Sequence, residues 1–439
     1  MNTLPFLPAR LGQVIFCALF SLLFGHSALH AQDKKAGTDT FGSYHPNAGF
    51  RIVNTPEGAV NFKIFSYLRY LNQQPLDEQY VNAFGDTTTI DRRQDLQVNK
   101  VNLQFLGWFL DPRFRYLFYV WTNNTAQGQT AQVVVAGNLS YELNKYFTFV
   151  GGIISLPGVR STEGSFPFWN TVDNRLIADE FFRPSYTTGV MVRGNATDRL
   201  NYMVMIGNNL SQLGIDAGQL DDGFNSFSAA LVWHPTTGEY GLNNNFGDFE
   251  NHQNVATRLA GHYSHSKEDK QGVPTSEAFE NVAIRLSDGS VIFAPNLFGP
   301  GIQVEKATYQ MISFDAGAKY KGLALEGEFY WRQVDNLNGK GLDMIERNEF
   351  LDNGLQLQAS AMIFPQSLQL YTTWSQVYGE YGDPSDVRVG LNWYPKKTHS
   401  LRWNFEYLHV NNSPVGGLSL PMPVGGNGGI FYSNLMVNF

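Results

Sequence analysis

Apolar and polar positions alternate with a period of two along most of the chain. In LQLQASAMIFPQSLQLYTTW, Gln356, Gln358 and Ser360 alternate with Leu355, Leu357, Ala359 and Ala361, and Pro365 to Ser367 turns the chain into a second alternating run. ISFDAGAKYKGLALEGEFYWR turns at Lys321 and Gly322, and GVMVRGNATDRLNYMVMIG has the same layout. Neighbouring side chains of a strand point to opposite faces, so this period reads as strands joined by turns rich in Gly, Asn, Asp or Pro. Sixteen strands are predicted, over 62 to 72, 97 to 109, 114 to 122, 138 to 143, 146 to 154, 186 to 193, 200 to 207, 224 to 233, 255 to 264, 311 to 320, 323 to 333, 354 to 364, 368 to 376, 386 to 394, 401 to 410 and 430 to 439. Their typical length is close to the roughly 9 to 11 residues of a tilted membrane strand, whereas globular strands run nearer about 5 or 6.

The connections alternate in length. Short ones lie at 110 to 113, 144 to 145, 194 to 199, 321 to 322, 365 to 367 and 395 to 400, and long ones at 73 to 96, 123 to 137, 155 to 185, 208 to 223, 265 to 310, 334 to 353, 377 to 385 and 411 to 429. An antiparallel barrel with short periplasmic turns and long extracellular loops predicts this alternation, and a Greek-key sandwich does not. The departure is HPTTGEYGLNNNFGDFENHQN, 234 to 254, which falls on the short side yet is long and reads as an unusual periplasmic turn. The expected fold is therefore all-β, a transmembrane antiparallel β-barrel occupying 62 to 439.

Two ends of the chain add to this. Residues 1 to 31 carry Arg10, the apolar run Val14 to Phe24 and small residues up to Ala31, the layout of a secretory signal peptide. Residues 32 to 61 show little periodicity and read as a periplasmic segment. Cleavage would remove the only cysteine, Cys17, and one positive charge, taking the formal charge from -8 to -9, and such a balance argues against nucleic acid as a partner. Only 16% of residues are charged, against about 25% in an ordinary soluble domain. At the other end, GGIFYSNLMVNF alternates Phe431, Leu435, Val437 and Phe439 with Asn434 and Asn438. In a barrel the apolar set meets lipid and the last strand must pair with the first to abolish the sheet edges.

If the apolar alternate faces lipid, the other lines the pore. That places Lys63, Arg69, Lys100, Arg115, Arg193, Arg258, Lys319, Arg332, Arg388 and Arg402 inside, against Asp315, Glu326, Glu328 and Glu406. A net positive lining walled by low-dielectric protein favours anions, unless these cations are consumed in pairs with the acids and with loop carboxylates. Sixteen strands without a plug leave an aqueous channel for small hydrophilic solutes. The third long loop, 155 to 185, is rich in Phe, Pro and Trp and is expected to fold into the barrel as a constriction, with Arg160, Arg175, Arg183, Glu163, Asp173, Asp179 and Glu180 as its charged candidates. The fifth, 265 to 310, is longer still.

Other chemistry is weakly represented. His262 and His265 point to opposite faces of a strand, and with His252 they give no metal-ligand spacing, so no metal and no cofactor is expected. His262 and Ser264 share the lumenal face, but this pairing is common and does not by itself make a hydrolase. The chain reads as non-enzymatic, the rivals being a general or sugar-passing porin and an outer-membrane barrel enzyme.

The stretches FTFVGGIISLPGVRSTEG, FGDFENHQNVATRLAGHYSHSKEDK and YQMISFDAGAKYKGLALEGEFYWR, with the long third and fifth loops, resemble the outer-membrane phosphate- and polyphosphate-selective porin family across nearly the whole mature chain. The resemblance implies a homotrimer of sixteen-stranded barrels in outer-membrane lipid, with channels narrowed by inward-folded loops and basic residues that guide anions such as phosphate. It also implies that the terminal Phe439 is a signal read by the barrel-assembly machinery. Neither the third nor the fifth loop is net positive here, so the architecture and an anion preference carry over, without any single phosphate-binding residue.

Overall fold

The computed structural model describes residues 41–45, 48–123, 132–210, 223–269, 284–345, 348–416 and 422–439. The expected signal peptide lies outside the described residues, as does most of the second long loop. Sixteen strands close into one antiparallel sheet. They are β1 Gly58–Asn72, β2 Gln94–Phe109, β3 Asp111–Asn123, β4 Gln132–Asn144, β5 Phe147–Ser155, β6 Tyr186–Asn195, β7 Leu200–Gly207 and β8 Ser226–Trp233. The circuit continues through β9 Ala256–Asp269, β10 Gln303–Tyr320, β11 Leu323–Lys340, β12 Phe350–Phe364, β13 Leu368–Tyr378, β14 Ser385–Trp393, β15 Leu401–Asn411 and β16 Gly428–Asn438. Each strand pairs with its neighbours in sequence, and β16 returns to β1 with Phe431 opposite Asn72 and Asn438 opposite Phe65.

Closure satisfies the strand edges that lipid would leave without partners, which is why an all-β chain can span a bilayer. The period-two pattern sorts the two faces. Along β15, Arg402, Asn404, Glu406 and Leu408 are buried inside, while Trp403, Phe405 and Tyr407 are exposed outside. Leu325 and Val389, 64% and 60% exposed, belong to the same outward apolar surface. No described helix is long and apolar enough to cross a membrane.

Short turns gather at one rim and long loops at the other. The tightest turn, Lys321-Gly322, has φ of 49° and 84°, the two positive values that a two-residue turn matching strand twist requires. At the short-turn rim, a further strand, Gly49–Thr55, pairs with the start of β1 and occupies the edge beyond the end of β16. Strands β10 and β11 are 18 residues long and stand well above β7 and β8 at 8 residues each, so the long-loop rim is uneven.

Candidate permeation pathway

The third loop, residues 156 to 185, turns into the barrel and is buried over almost its whole length. Its aromatic content gives it a core of its own, and the inward charges of the far wall hold it there. A short helix, Ile177–Phe182, stacks Phe182 on Tyr330 of β11 at 5.0 Å and lays Phe181 against the Arg332 guanidinium at 3.9 Å. Loop carbonyls supply the rest: Arg402 donates to Trp169 O at 2.6 Å, Arg69 to Val172 O at 2.7 Å and Arg388 to Arg175 O at 2.5 Å. A buried guanidinium has five donors to satisfy, and backbone carbonyls of an irregular segment are the matching acceptors.

The segment at 234 to 255 lies on the short-turn side, as its place in the alternation requires, but it does not hang outside. It enters the lumen from that rim and meets the third loop. Lys319 donates to Tyr240 O and Asn245 O, both at 2.9 Å, Gly247 N donates to Glu326 at 3.0 Å, and Phe246 N reaches Phe168 O at 3.3 Å. Gly317 makes room for it, since a Cβ there would stand 2.2 Å from the Tyr240 hydroxyl. A ring junction joins the two insertions on the short-turn side. The His399 ring lies 3.9 Å from Phe249 of this segment and 4.8 Å from Phe168 of the third loop. Burial, with Arg402 and Lys319 nearby, pushes His399 down to about 3, so it is neutral at physiological pH.

These insertions pack against the inward faces of β9 to β16 and against Arg69, Tyr67 and Lys100 of β1 and β2. Among the described residues, a cavity of about 340 Å³ lies between the third loop and the wall from β1 to β7. Its lining runs from Lys63 and Asn438 near the short-turn rim to Ser155 and Tyr186 near the long-loop rim. Of the ten basic residues expected on the lumenal face, Lys63, Lys100 and Arg193 border it. Arg115 sits at the short-turn end, paired with Glu142 at 3.2 Å. Arg69, Arg258, Lys319, Arg332, Arg388 and Arg402 also point inward but are buried behind the loop or the inserted turn, fastened to carbonyls or acids. Arg258 bonds Asp315 at 2.6 Å and Glu163 at 2.8 Å, and Arg332 bonds Asp352 at 2.7 Å. Their charge holds protein to protein.

The loop candidates divide in the same way. Glu163, Asp173, Arg175 and Arg183 border the cavity, whereas Arg160, Asp179 and Glu180 do not. Asp173 is bound by Lys100 at 2.7 Å and by the Tyr67 hydroxyl at 2.7 Å. Arg183 grips Glu180 through two bonds of 2.7 and 2.8 Å, and Arg175 meets Asp179 at 3.2 Å. Lys63 and Arg193 have no ion-pair partner among the described residues.

At the long-loop rim, Tyr80 and Phe84 of the first loop meet residues of the fifth and seventh. Tyr80 OH donates to Asp288 O at 2.6 Å, and Phe84 stacks on Tyr381 at 5.2 Å. The described part of the fifth loop, 284 to 302, therefore packs against the first and seventh loops at this rim; 270 to 283 lie outside the described residues.

Two clusters have metal-like proximity, Glu163 with His262 and Asp315, and Asp248 with Glu250 and His252. Arg258 already bridges the two carboxylates of the first, and His262 fits between Asp315 at 3.0 Å and Pro157 O at 3.2 Å. In the second, Asp248 accepts Gly322 N at 2.7 Å and both ring nitrogens of His252 face carboxylates. Both fit ion-pair networks better than open coordination shells. Ser264 shares a hydrogen bond of 2.8 Å with Ser228, not with His262, so the two make no nucleophile and base pair.

The closed sheet, its outward apolar face and the loop folded into the lumen define a transmembrane β-barrel of porin architecture. No protein-family model matches the chain and no curated protein matches it in sequence. Among solved structures, the outer-membrane protein OmpT of Vibrio cholerae aligns over 88% of this chain and 99% of its own, with 10% identity and a TM-score of 0.53. An anion-selective porin from Comamonas acidovorans aligns over 87% of this chain and 100% of its own, with 11% identity and a TM-score of 0.53. The outer-membrane channel DcaP of Acinetobacter baumannii covers 88% of this chain and 99% of its own, with 8% identity and a TM-score of 0.51. At such identities the likeness is one of fold, and it extends to porins generally without singling out a phosphate-selective family.

Proposed function

We propose that the chain is a non-enzymatic outer-membrane porin that passes small hydrophilic solutes down their gradients and prefers anions. The observation that carries this is the charge balance of the open cavity. The unpaired cations Lys63 and Arg193 border it, while its bordering carboxylates Glu163 and Asp173 are each bound to a cation. Free positive charge in a narrow passage with low-dielectric walls attracts anions and repels cations. The architecture shared with an anion-selective porin supports the same reading. Phosphate-type anions fall within this class. Export by a cleaved signal, assembly through the terminal strand and a trimer of barrels belong to the same proposal.

The test is a reversal potential measured across a salt gradient with purified protein in planar bilayers. Chloride preference is expected. Cation preference, or none, removes the anion claim and leaves a general or sugar-passing porin; a current insensitive to added phosphate removes phosphate alone.

A further inference from the structure

The charge inside this barrel is unevenly distributed. From β9 round to β2 the inward positions carry Arg258, Asp315, Glu326, Arg332, Arg388 and Glu406, all buried against the inserted segments. From β3 to β7 the wall bordering the open cavity is mostly apolar: Leu117, Tyr119 and Trp121 on β3, Ile154 on β5, Met191 on β6 and Met203 on β7. Charge within these strands, beyond the turn residues Asp111 and Arg113, is confined to Arg115, Glu142 and Arg193 near the short-turn end. Across the cavity stands the charged edge: Lys63, which has no ion-pair partner among the described residues, and Lys100, Arg175 and Arg183, which are held by Asp173, Asp179 and Glu180. Lys100 joins the two sides, its Nζ 4.9 Å from the Trp121 ring and 5.5 Å from Phe166.

A passage with an apolar wall on one side and cations on the other treats two kinds of anion differently. A small, strongly hydrated anion gains only the electrostatic half and must keep its water beside the apolar wall. An anion with an apolar body gains by removing that body from water while its charged end meets Lys63. This is the usual division of labour in ligand sites, with apolar walls binding and a few polar groups orienting.

We infer that the passage selects organic carboxylates bearing an aromatic or branched apolar body over small hydrated anions. This rests on the porin reading above, and the experiment separates the two. Purified full-length protein in planar bilayers is given potassium benzoate on one side and potassium acetate on the other. The reversal potential is expected to show benzoate at least as permeant as acetate, although it is larger. Trp121→Ser is expected to lower the benzoate-to-acetate ratio by about two-fold or more. Met203→Ser, a smaller change in the same wall, provides the comparison if the first variant yields little heat-modifiable, folded barrel. A channel that conducts but favours acetate, or whose ratio neither variant moves, overturns the inference and leaves the porin reading intact. A folded barrel that does not conduct overturns the porin reading and this inference with it.

Discussion

Arg160 of the third loop lies 2.6 Å from Glu326 on strand β11, and both side chains are almost fully buried. The same guanidinium donates to Asn245 O at 3.1 Å and covers the Phe246 ring at 3.9 Å. One side chain therefore ties the third loop both to the barrel wall and to the segment inserted from the short-turn rim. Removing one partner of a buried pair leaves the other charge uncompensated, at a cost of about 3–5 kcal/mol. Arg160→Ala is expected to loosen both insertions without opening the sheet. The checks are single-channel conductance, which should rise or become noisy, and protease cleavage within 156 to 185, which should appear. Unchanged conductance with an intact loop would show that the carbonyl contacts of Arg69, Arg388 and Arg402 suffice.

The charge balance of the cavity leads to a second expectation. Lys63 and Arg193 are its unpaired cations, so Lys63→Glu combined with Arg193→Glu changes the local balance by four charges without breaking an ion pair among the described residues. Reversal potentials in potassium chloride are expected to move to cation preference, and more so at low ionic strength, where screening is weaker. Arg258→Gln, by contrast, removes a buried charge behind the loop and should disturb folding or loop position before selectivity. If the double variant still prefers chloride, these two residues do not set the selectivity.

Much of the barrel was legible in the sequence, because lipid on one side and polar lumen on the other imprint a period of two on every strand. The same rule failed where one of those environments is missing. The strand expected at 311 begins at Gln303, and the one expected to stop at 333 runs to Lys340, since a hairpin projecting beyond the bilayer keeps its ladder without an apolar face. The third loop's fold could be inferred from its aromatic content, but its partners could not, because they come from strands up to 233 residues away, as in Arg402 with Trp169. The inward course of 234 to 255 was hidden for the same reason: Tyr240, Lys319 and Gly317 acquire meaning only when the sheet brings them together. The apolar wall did leave a signal. Arg115 fixes the inward parity of β3, and the same parity turns Leu117, Tyr119 and Trp121 inward, against the assumption that apolar residues face lipid.

The end of the chain is part of barrel closure. Phe439 N donates to Ile64 O at 2.9 Å, Ile64 N returns a bond to Phe439 O at 2.6 Å, and the Phe439 ring lies 5.6 Å from Phe50 of the neighbouring short strand. Deleting Phe439 removes one pair of ladder bonds and an aromatic contact at the junction of three strands. Each bond is worth about 1 kcal/mol net, too little to unfold a sixteen-stranded sheet, so a large loss of assembled protein would point to recognition during assembly. The deletion is expected to lower the yield of heat-modifiable barrel in membranes far more than it lowers the unfolding temperature of what does assemble. Equal losses in both would instead assign Phe439 a purely structural part.

Two histidines at the short-turn rim have opposite pH dependences. His399 is pushed down to about 3, chiefly by burial, then by Arg402 and Lys319. Its contribution is complete above the unfolded value near 6.5, and is lost progressively as pH falls below it. His252 behaves in reverse. Burial lowers it, but hydrogen bonds to Asp248 and Glu239 outweigh that and hold it above its ordinary value. Its contribution is complete below about 6.5 and is lost as pH rises through the folded value. Because both rings secure the inserted segment, through Phe249 for His399 and through Asp248 and Glu239 for His252, the segment is expected to be held most firmly around neutral pH. His399→Phe should remove the loosening below pH 6, and His252→Gln should remove that at alkaline pH while leaving the acid limb. Conductance and protease access to residues 234 to 255 between pH 4.5 and 9 are the readouts. A wild-type protein whose segment is equally protected across that range, or an acid limb that survives His399→Phe, would disprove this assignment.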